Sequence, residues 1–330
     1  MKISSSKIIF ENYFSQQSIR DVISNRTSTH TARGSDGISH EKFLSCIDQN
    51  ISIIEQKSKS GLYKFTPYRE KLILKGAVSI PRGVSIPTIR DRVALRCLNN
   101  FLCQVFSDYK PLHAHPVVTK AIKSFIKYST EDKFIKLDVK GFYDGIDHKI
   151  LETQLRKRIK YEPAIVMVLR AITAPTGSAI REEKKNTIGV PQGLSISNIL
   201  ASIYMMDLDN EYSSNLSIDY HRYVDDILLR VLGSEASTIA KQLSQKMNRS
   251  RKLQTHPLGS GKSAIYDYGE TVSYLGYSFN GDAVSVREAS IKKMMTSLMR
   301  IVAGITSGNI GVDDVTAPRQ HQCAKVGLRG

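Results

Sequence analysis

The chain has 330 residues, 41% of them hydrophobic and 8% aromatic, enough to bury a sizeable core and to form two or three subdomains. Its 47 Lys+Arg stand against 31 Asp+Glu, and the resulting net charge of +16 points to a polyanionic partner, nucleic acid ahead of an anionic membrane. No apolar run approaches the roughly 20 residues of a membrane helix, Met1 to Ser6 lacks a signal-peptide apolar region, and Cys46, Cys97, Cys103 and Cys323 form neither metal-ligand pairs nor a disulfide framework, which suits a reducing cytoplasm, bacterial or eukaryotic.

Residues 1–30 are polar with some helical character, and Gly34-Ser35-Asp36-Gly37 is a turn signal. Phe43, Leu44, Ile47, Ile51 and Ile54 then recur at helical spacing, with Ser39 as N-cap. Tyr63–Arg69 and Lys71–Lys75 read as extended, Pro81-Arg82-Gly83 as punctuation, and Val84–Pro87 as a short edge strand, since Pro cannot donate to a ladder. From Thr88 a helix places Ile89, Val93, Cys97, Phe101 and Val105 on one side and Arg90, Arg92 and Arg96 on the other, either a solvated face or a phosphate-facing stripe.

A shorter helix spans Val118–Tyr128, and Phe134–Val139 is a strand ending in a Gly-containing turn. Ile150, Leu151, Leu155 and Ile159 mark a helix, Ile188–Gly193 is a turn, and Leu194–Met206 is a helix with Ile196, Ile199, Leu200 and Ile203 inward. Ile218–Val231 reads as two short strands meeting at Asp225-Asp226, followed by a helix over Ser234–Met247 and strands near Ala264 and over Val272–Tyr277. Val286–Val302 is an amphipathic helix with Ile291, Met294, Met295, Leu298 and Ile301 inward and Lys292, Lys293 and Arg300 outward; the tail after Gly304 reads as loose. Strand and helix without regular βαβ punctuation predict an α+β sheet covered on one side.

An acidic pair on a hairpin is an ordinary turn in many proteins. It is also a way to bring two carboxylates to one point, where they repel unless a hard cation such as Mg²⁺ lies between them. Asp138, at a strand end, is the candidate third acid. Two ions about 3.5–4 Å apart would clamp the attacking and leaving oxygens of a phosphoryl transfer.

From Gly34 to Tyr277 the chain resembles the bacterial reverse transcriptases of the group II intron, retron and defence-associated lineage. Phe134–Asp144 resembles the first catalytic block, Gly189-Val190-Pro191-Gln192-Gly193 the template- and nucleotide-positioning block, and Tyr223-Val224-Asp225-Asp226 the catalytic hairpin. Leu275-Gly276-Tyr277 resembles the primer grip and Ile86–Arg92 the fingers motif. The resemblance implies a right-hand polymerase whose antiparallel palm sheet carries the YVDD hairpin. Its expected divisions are fingers over 1–88, palm over 89–144 and 189–283, an insertion over 145–188, and a short thumb and tail over 284–330.

The same resemblance implies Asp138, Val139, Asp225 and Asp226 around two Mg²⁺ ions (or Mn²⁺), and Tyr143 as the steric gate against a ribose 2′-OH. It puts Lys75 (with Lys71 as the alternative) and Arg82 on the triphosphate, Gln192 at the nucleotide or template base, and Lys262 near the pyrophosphate. Arg90, Arg92, Gly193, Leu275, Gly276, Tyr277, Lys292, Lys293 and Arg300 would contact nucleic acid. The chain departs from the family where Ser197-Asn198 and Ser202 replace the usual Ser-Pro and Asn after Gly193, and it lacks the retron Asn-Ala-x-x-His and Val-Thr-Gly segments. The expectation is an RNA-directed DNA polymerase taking dNTPs and making cDNA from a structured noncoding RNA in anti-phage defence, most like a small stand-alone defence-associated enzyme, in particular the type partnered with such an RNA (type 2). The alternatives are an intron or retron enzyme acting on its own RNA, or an RNA-binding scaffold without catalysis.

Overall fold

The computed structural model describes residues 3–26, 32–74, 81–111, 113–126, 129–177, 186, 188–280 and 283–306. The N-terminal third is helical: α1 (Ile3–Tyr13), α2 (Gln16–Arg26), α3 (His40–Ser45) and α4 (Ile47–Lys59). Ser39 caps α3 as expected, its side chain accepting from Lys42 N, but the single predicted helix breaks at Cys46. A hairpin of β1 (Arg69–Ile73) and β2 (Arg82–Ile86) follows, so Arg82 begins a strand and is not a break between elements. Thr88 caps α5 (Ile89–Val105), the buried spine of this part, against which α1 and α2 pack, with Phe10, Ile19 and, in the turn between them, Phe14 buried in the same core.

Next come α6 (Ala114–Ile126), β3 (Asp132–Asp138), α7 (His148–Arg156) and α8 (Glu162–Thr173). A Pro in the first turn of α8 and its buried Ile165, Val168 and Ile172 make it a core helix. The chain continues with α9 (Ser197–Ser213), β4 (Asp219–Tyr223), β5 (Asp226–Leu232), α10 (Ala236–Arg251) and β6 (Ala264–Tyr266). It closes with β7 (Val272–Tyr274), β8 (Tyr277–Asn280), β9 (Ala283–Val286) and α11 (Glu288–Thr306). The strand expected over Val272–Tyr277 is instead a hairpin whose turn is Leu275-Gly276.

The central antiparallel sheet has the order β4-β5-β3-β6, and both of its faces are covered rather than one. Ile135, Leu137, Ile227 and Leu229 face the main core with α9 and α10. Phe134 and Leu228 face a second core built from α6 and the β7-β8-β9 sheet. There the Phe125 ring stacks on Phe134 at 3.8 Å and on Phe279 at 4.1 Å between centroids. Packing on both faces makes β3 and β5 a rigid platform.

The apolar side of α11 overturns one expectation. Ile291, Met294, Met295, Leu298 and Ile301, read as inward, are exposed, as are Met299 and Val302. The amphipathic period was read correctly, but a period identifies a face and not what covers it.

Candidate active site

Three acids meet at one end of the central sheet. Antiparallel register pairs Asp138 of β3 with Asp226 of β5, and Asp226 with Tyr223 of β4, so these side chains share one face. Asp225 lies in the two-residue turn, and its carbonyl accepts from Val139 N at 3.2 Å, which ties the hairpin tip to the end of β3. Val224, the other turn residue, has φ 57°, a left-handed conformation that a β-branched residue adopts only when its surroundings impose it.

Those surroundings lie beneath the tip. Arg222, almost wholly buried, donates through Nε to Asp209 Oδ1 at 2.7 Å and through Nη2 to Asp209 Oδ2, while its Nη1 donates to Val224 O at 2.9 Å. Tyr220 Oη donates to the same Asp209 Oδ1 at 2.8 Å. Burial works against the guanidinium charge, but Asp209 overrides it and holds Arg222 above its usual value. Behind Asp226, Lys136 Nζ donates to Ser273 O at 2.8 Å, and the buried Tyr274 hydroxyl has no hydrogen-bond partner among the described residues.

The acids line an open cleft of about 1030 Å³, large enough for a nucleotide. Its wall includes Arg82, Tyr143, Gln192, Asn198, His256, Lys262 and Leu275. Arg82 donates through Nε to Gln192 Oε1, and Ser85 N donates to Gln192 O at 2.7 Å, so β2 is stitched to the Pro191-Gln192-Gly193 turn. Gly193 has φ +104° with Val84 Cγ1 2.6 Å from where a Cβ would stand, so only glycine fits. The Tyr143 hydroxyl donates to Asn198 Oδ1 at 2.7 Å, and burial, with Asp225 adding to it, pushes the phenol up to about 12.

Electrostatics at the acids are unfavourable to the bare site. Burial, then Asp225 and to a lesser degree Asp138, push Asp226 from 3.8 up to about 6, against some relief from Lys136. Among the described residues no group of three or more His, Cys, Asp or Glu side chains closes into a ready-made cation cage. This half-open donor set still fits Mg²⁺, which takes one or two carboxylates and completes its shell with water and substrate phosphates.

Other expected residues stand elsewhere. Arg90 and Arg92 do not line the cleft; Arg92 donates to the backbone oxygens of Pro87 and Ala32, and Asp91 between them accepts from Tyr63 Oη at 2.8 Å and Thr66 N at 3.0 Å. This stretch therefore anchors the chain at the start of α5. Lys292, Lys293 and Arg300 lie on exposed α11, away from the cleft, with Lys292 2.6 Å from Glu288. Gly276, with φ +87°, and Leu275, with φ 49°, form the β7-β8 turn, and Tyr277 opens β8 beside it. Lys75 and most of the tail after Gly304 lie outside the described residues.

Two residues of the cleft were missed. His256 stands 3.3 Å from Asp138 Oδ1 and 3.2 Å from Lys262 Nζ, and nothing in its sequence setting marks it. Asn198 had a signal, since it sits where the chain departs from the family pattern.

Comparison with known proteins decides the family. Residues 73–279, well over half the chain, match the family described as reverse transcriptase (RNA-dependent DNA polymerase). The chain belongs to the reverse transcriptase family. All three acids lie within the matched span, and reverse transcriptases generally use divalent metal ions. The group II intron-encoded protein LtrA of Lactococcus lactis subsp. cremoris is 26% identical over 255 residues, covering 71% of this reverse transcriptase chain and 41% of LtrA. The chain therefore spans about two fifths of that relative's length. Protein YkfC of Escherichia coli (strain K12) is 23% identical over 290 residues, with 74% of each chain covered. Telomerase from Candida albicans, solved with a fragment of telomeric RNA, shares the fold at a TM-score of 0.53 and 15% identity, over 76% of this chain and 50% of telomerase. The mixed α+β architecture with an antiparallel sheet is thus that of the reverse transcriptase and telomerase polymerases.

Proposed function

We propose that the chain is an RNA-directed DNA polymerase that extends a primer with dNTPs on an RNA template. The observation that carries this reading is the convergence of Asp138, Asp225 and Asp226 on the floor of a nucleotide-sized cleft. Asp138 and Asp225 would be the main holders of a Mg²⁺ pair, with Asp226 as the third acid and the Val139 backbone beside them. Bound there, the ions would supply charge neutralisation at the reacting phosphates. Arg82 would hold the triphosphate and Gln192 the nucleotide or template base. Tyr143, pinned by Asn198, would bar a 2′-OH from the sugar position. Residues 1–88 would act as fingers, 89–144 and 189–283 as palm, 145–188 as an insertion between fingers and palm, and 284–330 as a short thumb and tail.

The test is dNTP incorporation on an RNA template. In the Asp225→Ala/Asp226→Ala variant incorporation vanishes and RNA binding persists; undiminished incorporation overturns the assignment, and undiminished cellular function supports a scaffold role instead.

For the template we infer a structured noncoding RNA and, for the cellular setting, anti-phage defence by a type 2-like enzyme. The lack of the retron segments supports a branch apart from retrons, and the Ser197-Asn198 region supports a divergent branch of the family. Similarity to LtrA favours a second reading, an enzyme acting on its own intron RNA. Sequencing the RNA and DNA that co-purify from cells separates the two: intron ends in the bound RNA establish the second.

A further inference from the structure

A second cavity, of about 360 Å³, opens in the N-terminal part of the chain and shares no lining residue with the cleft. It is lined by Ile53 and Lys57 of α4, by Leu62, Tyr63 and Lys64 of the loop that follows, and by Arg90 in the first turn of α5. The loop is fixed from beneath. Leu62 N and Tyr63 N donate to Lys57 O at 2.8 and 2.9 Å, and Arg170 Nη1 donates to Gly61 O at 2.6 Å and to Tyr63 O at 3.1 Å. The Tyr63 hydroxyl is tied in turn to the buried Asp91. The cavity is therefore built before any ligand arrives, and filling it orders little backbone.

Its charges are not used inside the protein. Among the described residues the side chains of Lys57, Lys64 and Arg90 make no hydrogen bond and no ion pair, and no acid lines the cavity. The nearby acids are engaged elsewhere: Asp48 with Arg20, Glu55 with Lys59, and Asp91 with Tyr63 and Thr66. Three like charges around one concavity repel one another and focus a positive potential there, which favours an anion. The rest of the wall is apolar, and Leu62 stands 64% exposed among the cations.

We propose that this cavity is a second nucleic-acid site, which grips the phosphodiester backbone of a strand outside the cleft. A single phosphodiester carries one negative charge and leaves the other cations unmatched, whereas a strand presents successive phosphates, with a sugar and base to lie over Leu62. The site gives Arg90 a phosphate partner that the cleft does not. It goes beyond the polymerase reading, because a grip of this kind holds the strand with or without catalysis.

The test is equilibrium binding of a 5′-labelled single strand of about 40 nucleotides, as RNA and as DNA of the same sequence, to the full chain without dNTPs, across a range of NaCl concentrations. In the Lys57→Gln/Lys64→Gln/Arg90→Gln variant the slope of log affinity against log salt should flatten by about 2, at about 0.7 for each lost phosphate contact, and affinity in 0.1 M salt should fall about tenfold or more. The strand that shows this change is the ligand, and equal changes mean that the backbone alone is read. Lys57→Gln and Lys64→Gln, at exposed positions, should each flatten the slope by about 0.7, which keeps the test decisive if the triple variant folds poorly.

Glutamine at exposed Lys120, Lys123 and Lys241, on other faces, removes the same net charge and should change the slope far less. An equal change in that control, or an unchanged slope in the cavity variants, overturns the proposal. Loss of labelled ATP binding with strand affinity intact shows a pocket for free nucleotides and also overturns it. The same loss of strand affinity is expected in the Asp225→Ala/Asp226→Ala background, so failure of the polymerase reading leaves this result standing.

Discussion

Asp226 provides the sharpest quantitative test of the site. Its carboxyl is raised from 3.8 to about 6, first by burial and then by the neighbouring Asp225. Between those values the folded chain holds a proton that the unfolded chain has released, so stability falls as pH rises through this window. The penalty is absent below about pH 3.8 and complete above about pH 6. At about 1.4 kcal/mol per pH unit the full shift corresponds to about 3 kcal/mol. Asp226 is partly open to the cleft, and solvent screening reduces this to about 1–2 kcal/mol. Asp226→Asn removes the charge and keeps the shape. At pH 8 in EDTA the variant should melt about 2–6 °C above wild type, taking a few degrees per kcal/mol for a chain of this size. At pH 5 the gap should shrink, and saturating Mg²⁺ should narrow it at pH 8 by stabilising wild type more than the variant. RNA-templated incorporation should be lost. A variant that melts below wild type at pH 8, or a gap independent of pH, refutes the argument that the acids repel in a desolvated site.

Three further outcomes follow from contacts around the cleft. Tyr143→Val removes the aromatic wall that Asn198 holds in place, and the ratio of rNTP to dNTP incorporation should rise at least tenfold in single-nucleotide assays; an unchanged ratio removes the gate assignment. Gly193→Ala puts a methyl 2.6 Å from Val84 Cγ1 and 2.8 Å from Ser85 O, so β2 must shift away from the Gln192 turn; the KM for dNTP should rise with the melting temperature lowered by only a few degrees. Asp209→Ala leaves the buried Arg222 guanidinium without its carboxylate and should cost about 3–5 kcal/mol in urea unfolding, with loss of activity because Val224 loses its clamp. A loss under 1 kcal/mol would show that the pair does not hold the hairpin.

The site was legible in unequal parts. Asp138, Asp225 and Asp226 could be read because each lies in a compact local pattern, a strand end before a glycine turn and a hairpin tip. Arg82, Gln192 and Tyr143 were readable through the order of the motifs, and the structure brings all three to the same cleft. Arg90 and Arg92 could be read as either a solvated face or a phosphate-facing stripe, and the structure sets them outside the cleft, with Arg92 donating to the backbone of Pro87 and Ala32. His256 was invisible, since no local pattern sets a lone histidine apart, and only the fold places it between Asp138 and Lys262.

The sequence by itself determined the period and ends of most elements. Residues three or four apart on a helix, two apart on a strand, and caps such as Ser39 and Thr88 act locally. It also determined the family, because motif order survives divergence. Only the tertiary structure decided the pairing of Asp138 with Asp226, the Arg222–Asp209 clamp that imposes φ 57° on Val224, and the exposed side of α11. Each of these depends on which surfaces of distant segments meet, and a pattern of residues along a chain shows which face is apolar or acidic but not what that face will touch.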